Sequence, residues 1–343
     1  KVLENFGFIW SGGAEGARGL LQTVAGSMIT VAGVTFSIMM VALSLATSQF
    51  GSRLLRNFMS DTGNQIVLGA FVSTFIYCLL VLRTIRSGDS TEFVPYVSVT
   101  LGLVLALINL VVLIYFIHKM ALNMQAPHVI GEVASDLFKS IEGIFPSEIG
   151  KGNPEQHSDG NVHELPADFD ERAKEIKFQS NGYIQAVDQE ELLRIAKNND
   201  LLLKLPHRPG HFVFEGSILA FAWPEEKIKD QVPDKLRSAF FLGKQRSHHQ
   251  DIEFAIEQLV EVAERSLSSG INATFNAIAC IDWLGAALAK LLSKDFPNPY
   301  RYDQDGRLRI YLEHPLTYEG IIDAAFNQIR QSGSQNISVR IRL

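Results

Sequence analysis

Three long runs without an ionisable side chain set the main constraint on what this chain can fold into. Between Arg18 and Arg53 there is no Asp, Glu, Lys, Arg or His, and the same holds from Asn64 to Leu82 and from Pro95 to Ile117. Each run reaches the roughly 20 apolar residues that cross about 30 Å of hydrocarbon. A soluble chain scatters its apolar residues through amphipathic elements instead. The sequence therefore predicts an α-helical transmembrane bundle of about three spans. The overall composition hides it: 20% charged residues and a net charge of -6 would suit a soluble enzyme. Charges return at ordinary density after Lys119, and the average blurs two unlike halves.

The first run, Gly19 to Phe50, would be about 48 Å long as one helix, so it must tilt, kink or project from the bilayer. Thr23, Thr30, Ser37, Ser44 and Gly51 recur every seven residues, flanked by Gly26, Ser27, Gly33, Thr47 and Ser48. One stripe of this helix is thus small and hydroxylated from end to end. Two readings compete. Small residues let helices approach closely and hydroxyls bond between them. Alternatively, copies of the stripe face a wetted axis in a homo-oligomer, with Thr23, Thr30, Ser37 and Ser44 lining a pore and Gln49, Arg53 and Arg56 at its mouth. A seven-residue period suits left-handed helix association in either case. In the third run, Asn109 is expected to make an interhelical hydrogen bond rather than hold a ligand.

Orientation is poorly marked by charge, because Arg53 and Arg56 flank one short loop and Arg83 and Arg86 the next. With only Cys78 and Cys280, placed far apart, no disulfide framework arises. This favours a cytoplasmic C-terminal part. Val2 to Trp10 does not read as a signal peptide. The start at Lys1 rather than Met suggests that a further membrane helix precedes it. The expected organisation is a pre-membrane segment over 1–18 and membrane helices within 19–120, at about 19–50, 64–84 and 95–119. A helix and linker over 121–175 follow, then a β-rich module over 176–223 and a helical region over 224–343.

In the polar part, Met120 to Phe145 reads as a helix continuing the third span, with Val129, Val133, Leu137 and Ile141 four apart. Pro146 to Asp170 reads as a linker. Within 176–223, strands are expected around Tyr183–Val187, Leu201–Leu205 and His211–Gly216, with a short helix over Gln189–Asn198 and turns at Ser180–Gly182 and Arg208–Gly210. That string looks like part of a barrel-sandwich fold, but without a lysine at a hairpin tip, since Lys204 lies inside a strand. Helices follow over Asp251–Leu267, Ile278–Leu292 and Tyr318–Ile329, with a short strand or helix from Ile337 to Leu343.

No catalytic set stands out, and the chain reads as a non-enzyme without cofactor or metal. The glycines Gly12, Gly13, Gly16 and Gly19 lack the preceding strand and the Lys-Ser/Thr ending of a phosphate loop. His248 and His249 with Asp251 and Glu253 lack a second ligand pair at helix spacing. His128, His157 and His163 read as surface residues. Asp282, within an apolar helix, should be buried and therefore paired, with Arg330 or Arg265 as expected partners. The loop containing Gly270, Asn272, Thr274 and Asn276 suits helix capping first and ligand binding second. An acidic chain without a basic, aromatic-interleaved patch has no nucleic-acid signature.

Several stretches in combination resemble a bacterial family of predicted membrane proteins, domain of unknown function 2254. They are Gly26–Ser37, Ser48–Phe58, Tyr115–His118, Gly182–Gln185, Pro209–Val213, Ser269–Asn272, Ile278–Leu284 and Gln328–Arg330, and they cover nearly the whole chain. Similar sequences read Asp-Pro after the asparagine at 272, where this chain has Ala273-Thr274, which puts any role of that Asp in doubt here. The resemblance implies a multi-pass protein of the bacterial inner membrane, with an additional membrane helix at the start, and supplies no activity. The functional expectation is an oligomeric channel or transport-type pore, with lipid, further copies of the chain and ions as partners. The alternative is a non-conducting, membrane-anchored scaffold that docks a partner through its polar part.

Overall fold

The structure, a computed structural model, describes residues 13–51, 62–86, 93–144, 165–294, 296 and 298–343. Arg53, Arg56, Gly12, His157, His163 and most of the expected linker lie outside these residues. The chain divides into two compact units, Lys1–Val129 and Ile130–Leu343.

The first unit is built from α1 (Ala14–Phe50), α2 (Thr62–Thr84) and α3 (Tyr96–Asn123). The first apolar run is one unbroken helix of 37 residues; at 1.5 Å per residue it extends about 55 Å. Its inward face is narrow and mostly small: Ala14, Ala17, Leu21, Ala25, Ala32, Thr35 and Ala42 are buried. Two clusters run along the bundle. One joins Leu21 and Ala25 to Cys78, Val81 and Val99, and the other joins Ala32 and Ala42 to Val67, Phe71, Phe116 and Met120. The pairing order makes α2 antiparallel to α1, and α3 parallel to it. Gly102 marks a close approach, since a Cβ there would lie 3.0 Å from Leu21 Cδ2. Asn109 donates from Nδ2 to Thr74 Oγ1 at 2.7 Å, the interhelical bond its position suggested. The outward faces are apolar, with Val34, Phe36, Val41, Ile66, Leu80, Leu107, Val111 and Ile114 all exposed. That is the pattern of helices solvated by lipid.

The helix expected to run on from the third span is broken. α3 ends at Asn123, and α4 (Ala126–Ile144) starts after Met124 and Gln125. Pro127 sits in the first turn of the new helix, where its missing N–H costs nothing. Val133, Leu137 and Ile141 of the predicted apolar stripe are buried on the second helix, but Val129 is only half-buried and its neighbour Ile130 takes the inward place.

The second unit is α+β. After the short α5 (Phe169–Arg172) come β1 (Lys174–Lys177), β2 (Gly182–Val187), α6 (Gln189–Asn198), β3 (Leu202–Leu205), β4 (Phe212–Val213) and β5 (Ile218–Trp223). The region expected to be helical begins with α7 (Val232–Ser238) and β6 (Phe240–Gly243). It continues with α8 (Ile252–Leu267), α9 (Thr274–Leu292), β7 (Tyr300–Tyr302), β8 (Leu308–Leu312), α10 (Tyr318–Ser332) and α11 (Ile337–Arg342). One sheet has the order β1-β5-β3-β8-β7, in which β3 and β8 are parallel, and the other has the order β4-β2-β6. Residues 176–223 are therefore not a self-contained module: their sheets are completed by β6, β7 and β8. The core joining them runs from Ile176 and Ile184 through Leu203 and Leu219 to Phe240 and Ile310.

Among the described residues, four helices, α1, α2, α3 and α9, are long and apolar enough to cross a membrane. The first three turn their aliphatic faces outward. α9 instead buries Ala277, Cys280, Ile281, Leu284, Ala287 and Leu291 within its own unit and carries Asp282 and Lys290. We assign it to the α+β core, because two charged side chains in one span would each cost a few kcal/mol at the bilayer centre.

Candidate functional site

At about 100° per residue, Thr23, Thr30, Ser37 and Ser44 fall on the side of α1 opposite its buried alanines. All four are exposed, as is Gln49 at the end of the helix. A Cβ added to Gly19, Gly26 or Gly33 would have nothing within 4 Å. Among the described residues, the stripe takes no packing role in the bundle. The alanine face takes that role. The stripe has a fine structure that the seven-residue count did not bring out. Thr23 Oγ1 donates to Gly19 O at 2.8 Å, Thr30 Oγ1 to Gly26 O at 2.8 Å and Ser37 Oγ to Gly33 O at 2.9 Å. Each hydroxyl thus gives its only proton to its own helix four residues back. What it presents outward is an oxygen with a remaining lone pair, above a glycine that leaves the backbone open to close approach. Gly51 ends the helix at φ 101°, a conformation suited to glycine.

The second candidate, the loop at Gly270–Asn276, joins α8 to α9. Asn272 adopts φ 48°, and the Ala273 amide donates to Ser266 O at 2.7 Å. Ala273 is the N-cap of α9, without a side-chain cap bond, so the expected capping by Asn or Thr does not occur. Thr274 instead accepts a bond from Asn336 Nδ2 at 2.8 Å, while Asn336 Oδ1 caps α11. Gly270 and Asn276 make no convergent arrangement with these.

Asp282 is a correction. It is 43% exposed rather than buried, and its partner is Arg342 of α11, not Arg330 or Arg265. Arg330 donates to Asn327, and Arg265 to Glu261. α9 has an exposed face at Asp282, Trp283, Gly285 and Ala286, so the carboxylate stays at solvent, where pairing is optional.

Charged networks that sequence spacing could not reveal lie elsewhere in the α+β unit. Arg246 forks onto Asp251 at 2.6 and 2.9 Å and reaches Glu257 at 2.8 Å. Asp251 also caps α8 by accepting from the Phe254 amide at 3.0 Å. The turn Arg208–Gly210 docks on the same helix end through Arg208 and Glu253, at 2.8 Å. Gly210, at φ 93°, leaves no room for a Cβ, which would lie 2.3 Å from Asp251 Oδ2. His211 follows, half-buried. Burial first and the Arg208 charge second push its pKa down to about 4, so the ring is neutral at pH 7. A further network joins Asp303, Arg309 and Asp200, with bonds of 2.7 Å from Arg309 to each carboxylate. The bonds to Lys227 and Arg309 hold the Asp200 carboxyl down at about 2. These groups satisfy one another.

An open hollow of about 340 Å³ is lined by Asp136, Lys139, Ser140, Gly143, His248 and His249. Lys139 is already paired with Asp136 at 3.0 Å. Among the described residues, no three His, Cys, Asp or Glu side chains converge as a metal site.

Comparison with known proteins gives the class. The family model described as Predicted membrane protein (DUF2254) matches residues 1–343, and the chain belongs to that family. It is similar to uncharacterized proteins of Mycobacterium bovis and of Mycobacterium tuberculosis, each 30% identical over 324 residues. The match covers 93% of this chain and 60% of each relative, so the chain spans about three-fifths of their length. No solved structure matches it.

Proposed function

We propose that this member of the predicted-membrane-protein family is one subunit of an oligomeric, transport-type assembly in which α1 lines a shared axis. The observation that carries the reading is the exposed Gly/Thr/Ser face of α1, set opposite the face that packs the bundle. Lipid solvates Val, Ile and Leu well, and the other outward faces of the bundle use them. A ridge of outward oxygen lone pairs suits replacement of part of a cation's or a water's hydration, without strong charge selection. Thr23, Thr30, Ser37 and Ser44 are the lining residues in this reading, and Gln49, Arg53 and Arg56 stand at one mouth. The α+β unit assembles and gates the subunits from the cytoplasmic side of a bacterial inner membrane, and lipid, ions and further copies of the chain are the partners. In this reading the protein is not an enzyme.

One observation favours a second reading, a non-conducting scaffold. Because the three hydroxyls give their protons to their own helix, the face is also suited to dry contact between copies. Flux of monovalent ions through purified protein in liposomes decides between the two, comparing wild type with Ser37→Leu and Ser44→Leu. Conductance that both substitutions abolish, with assembly intact, supports the pore. Flux no greater than that of empty liposomes under voltage, osmotic and pH stimuli sinks it in favour of the scaffold.

A further inference from the structure

The inward face of α1 carries one hydroxyl that behaves unlike the others. Thr23, Thr30, Ser37 and Thr47 bond back to the carbonyl four residues earlier. Thr35 is 1% exposed, and among the described residues its Oγ1 has no hydrogen-bond partner. On α2, Asn64 is 4% exposed, and neither its Nδ2 nor its Oδ1 has a partner among those residues. Along the bundle axis the register sets the two about one helical turn apart. Asn109 Nδ2 reaches both Thr74 Oγ1 at 2.7 Å and Met28 Sδ at 3.4 Å, which puts positions 28, 74 and 109 at one level. Two turns further along α1 and back along α2, Thr35 stands level with Val67. Asn64 lies one turn beyond, about 5 Å, at the level of Met39 and Met120. Met120 belongs to the cluster that contains Ala32, Ala42 and Val67, and Met39 packs against it.

An unpaired amide and hydroxyl inside a lipid-solvated bundle are costly, because nothing in hydrocarbon can satisfy them. We propose that the bundle interior between α1 and α2 is a water-binding site, held by the Thr35 hydroxyl and the Asn64 carboxamide. The chemistry of the pair selects the ligand. A cation would satisfy Asn64 Oδ1 and Thr35 Oγ1 but leave the two N–H donors of Nδ2 facing like charge. An anion would leave the oxygens unpaired. Water both donates and accepts, and one or two molecules answer every group. The site lies across α1 from the stripe, inside a single subunit, so it stands independently of the oligomeric pore.

Radiolytic hydroxyl-radical footprinting of the purified full chain in detergent reads bound water directly, because radicals born at a buried water oxidise the nearest reactive side chain. Met120 is 3% exposed and lies at the level of the site, whereas Met124 is 42% exposed and serves as the reference. Met120 should oxidise within about threefold of the Met124 rate. In Thr35→Val/Asn64→Leu the Met120 rate should fall at least about fivefold, with Met124 unchanged. Thr35→Ser, which keeps the hydroxyl and guards against a packing artefact, should retain wild-type oxidation. A Met120 that stays unmodified in the wild type overturns the proposal, as does one oxidised equally in the Val/Leu variant.

Discussion

Replacing Gly26 and Gly33 together with leucine tests the outward face of α1 in two opposite directions at once. Within one chain neither position has an atom within 4 Å of an added Cβ, so the substitution meets no steric opposition there. Glycine in a helix interior costs about 0.8–1 kcal/mol relative to alanine, and leucine ranks close to alanine. The double variant should therefore stabilise the isolated subunit by about 1.5–2 kcal/mol. Contact between copies should respond the other way. Two leucines on a ridge of glycines hold a neighbouring helix off, and a loss of about 1.4 kcal/mol per contact already weakens association tenfold. The assay is paired: unfolding midpoint in detergent at high dilution, and oligomer distribution by sedimentation across protein concentration. A higher midpoint with loss of oligomer supports the assignment. A lower midpoint at high dilution would refute it, because it would mean that the glycine face is already covered within the same chain.

Arg309→Met should destabilise the α+β unit by about 3–5 kcal/mol, since it strands the Asp303 carboxylate, 1% exposed, without its counter-ion. Asp303→Asn added to it should recover much of that loss, and thermal unfolding of both variants checks the pair. His211 carries a pH dependence. Its folded pKa, about 4, lies below the ordinary histidine value, so the fold favours the neutral ring. Stability should be complete above about pH 6.5 and fall as pH drops towards 4, by about 1–2 kcal/mol after discounting for partial exposure. His211→Gln should flatten that limb of the unfolding-versus-pH curve, and an unchanged limb would assign it to other groups. Asn109→Leu should cost about 0.6–2 kcal/mol through loss of its bond to Thr74, measured by unfolding in detergent.

The membrane class, the three spans, the helix starts at Asp251 and Gln189 and the strand at Tyr183–Val187 were legible in the sequence, because each rests on local periodicity or a local cap. Asn109 was legible for a related reason: a lone amide in a span has few options except another helix. The networks of Arg246 and Arg309 were not: Arg246 meets Asp251 and Glu257, and Arg309 meets Asp303, across turns whose path no helix or strand period fixes, and Asp200 comes from 109 residues away. The strands β6, β7 and β8 were missed because short, half-buried strands carry little period of their own. β6 is stabilised by pairing with β2 and β8 by pairing with β3, which only the folded chain brings near, and β7 then pairs with β8. The break at Met124 was hidden by apolar residues on both sides of it.

What the sequence alone determined about α1 is its periodicity: a small, hydroxylated stripe every seven residues on a helix that must lie in lipid. Which way that stripe points was decided by the tertiary structure. A helix with alanines on one face and glycines with hydroxyls on the other can pack through either, and both patterns satisfy the same rule that small residues allow close approach. The choice follows from what α2 and α3 offer, since Phe71 and Phe116 fill the space against Ala32 and Ala42. That leaves the Gly/Thr/Ser face turned outward, and Thr35 as the hydroxyl enclosed within.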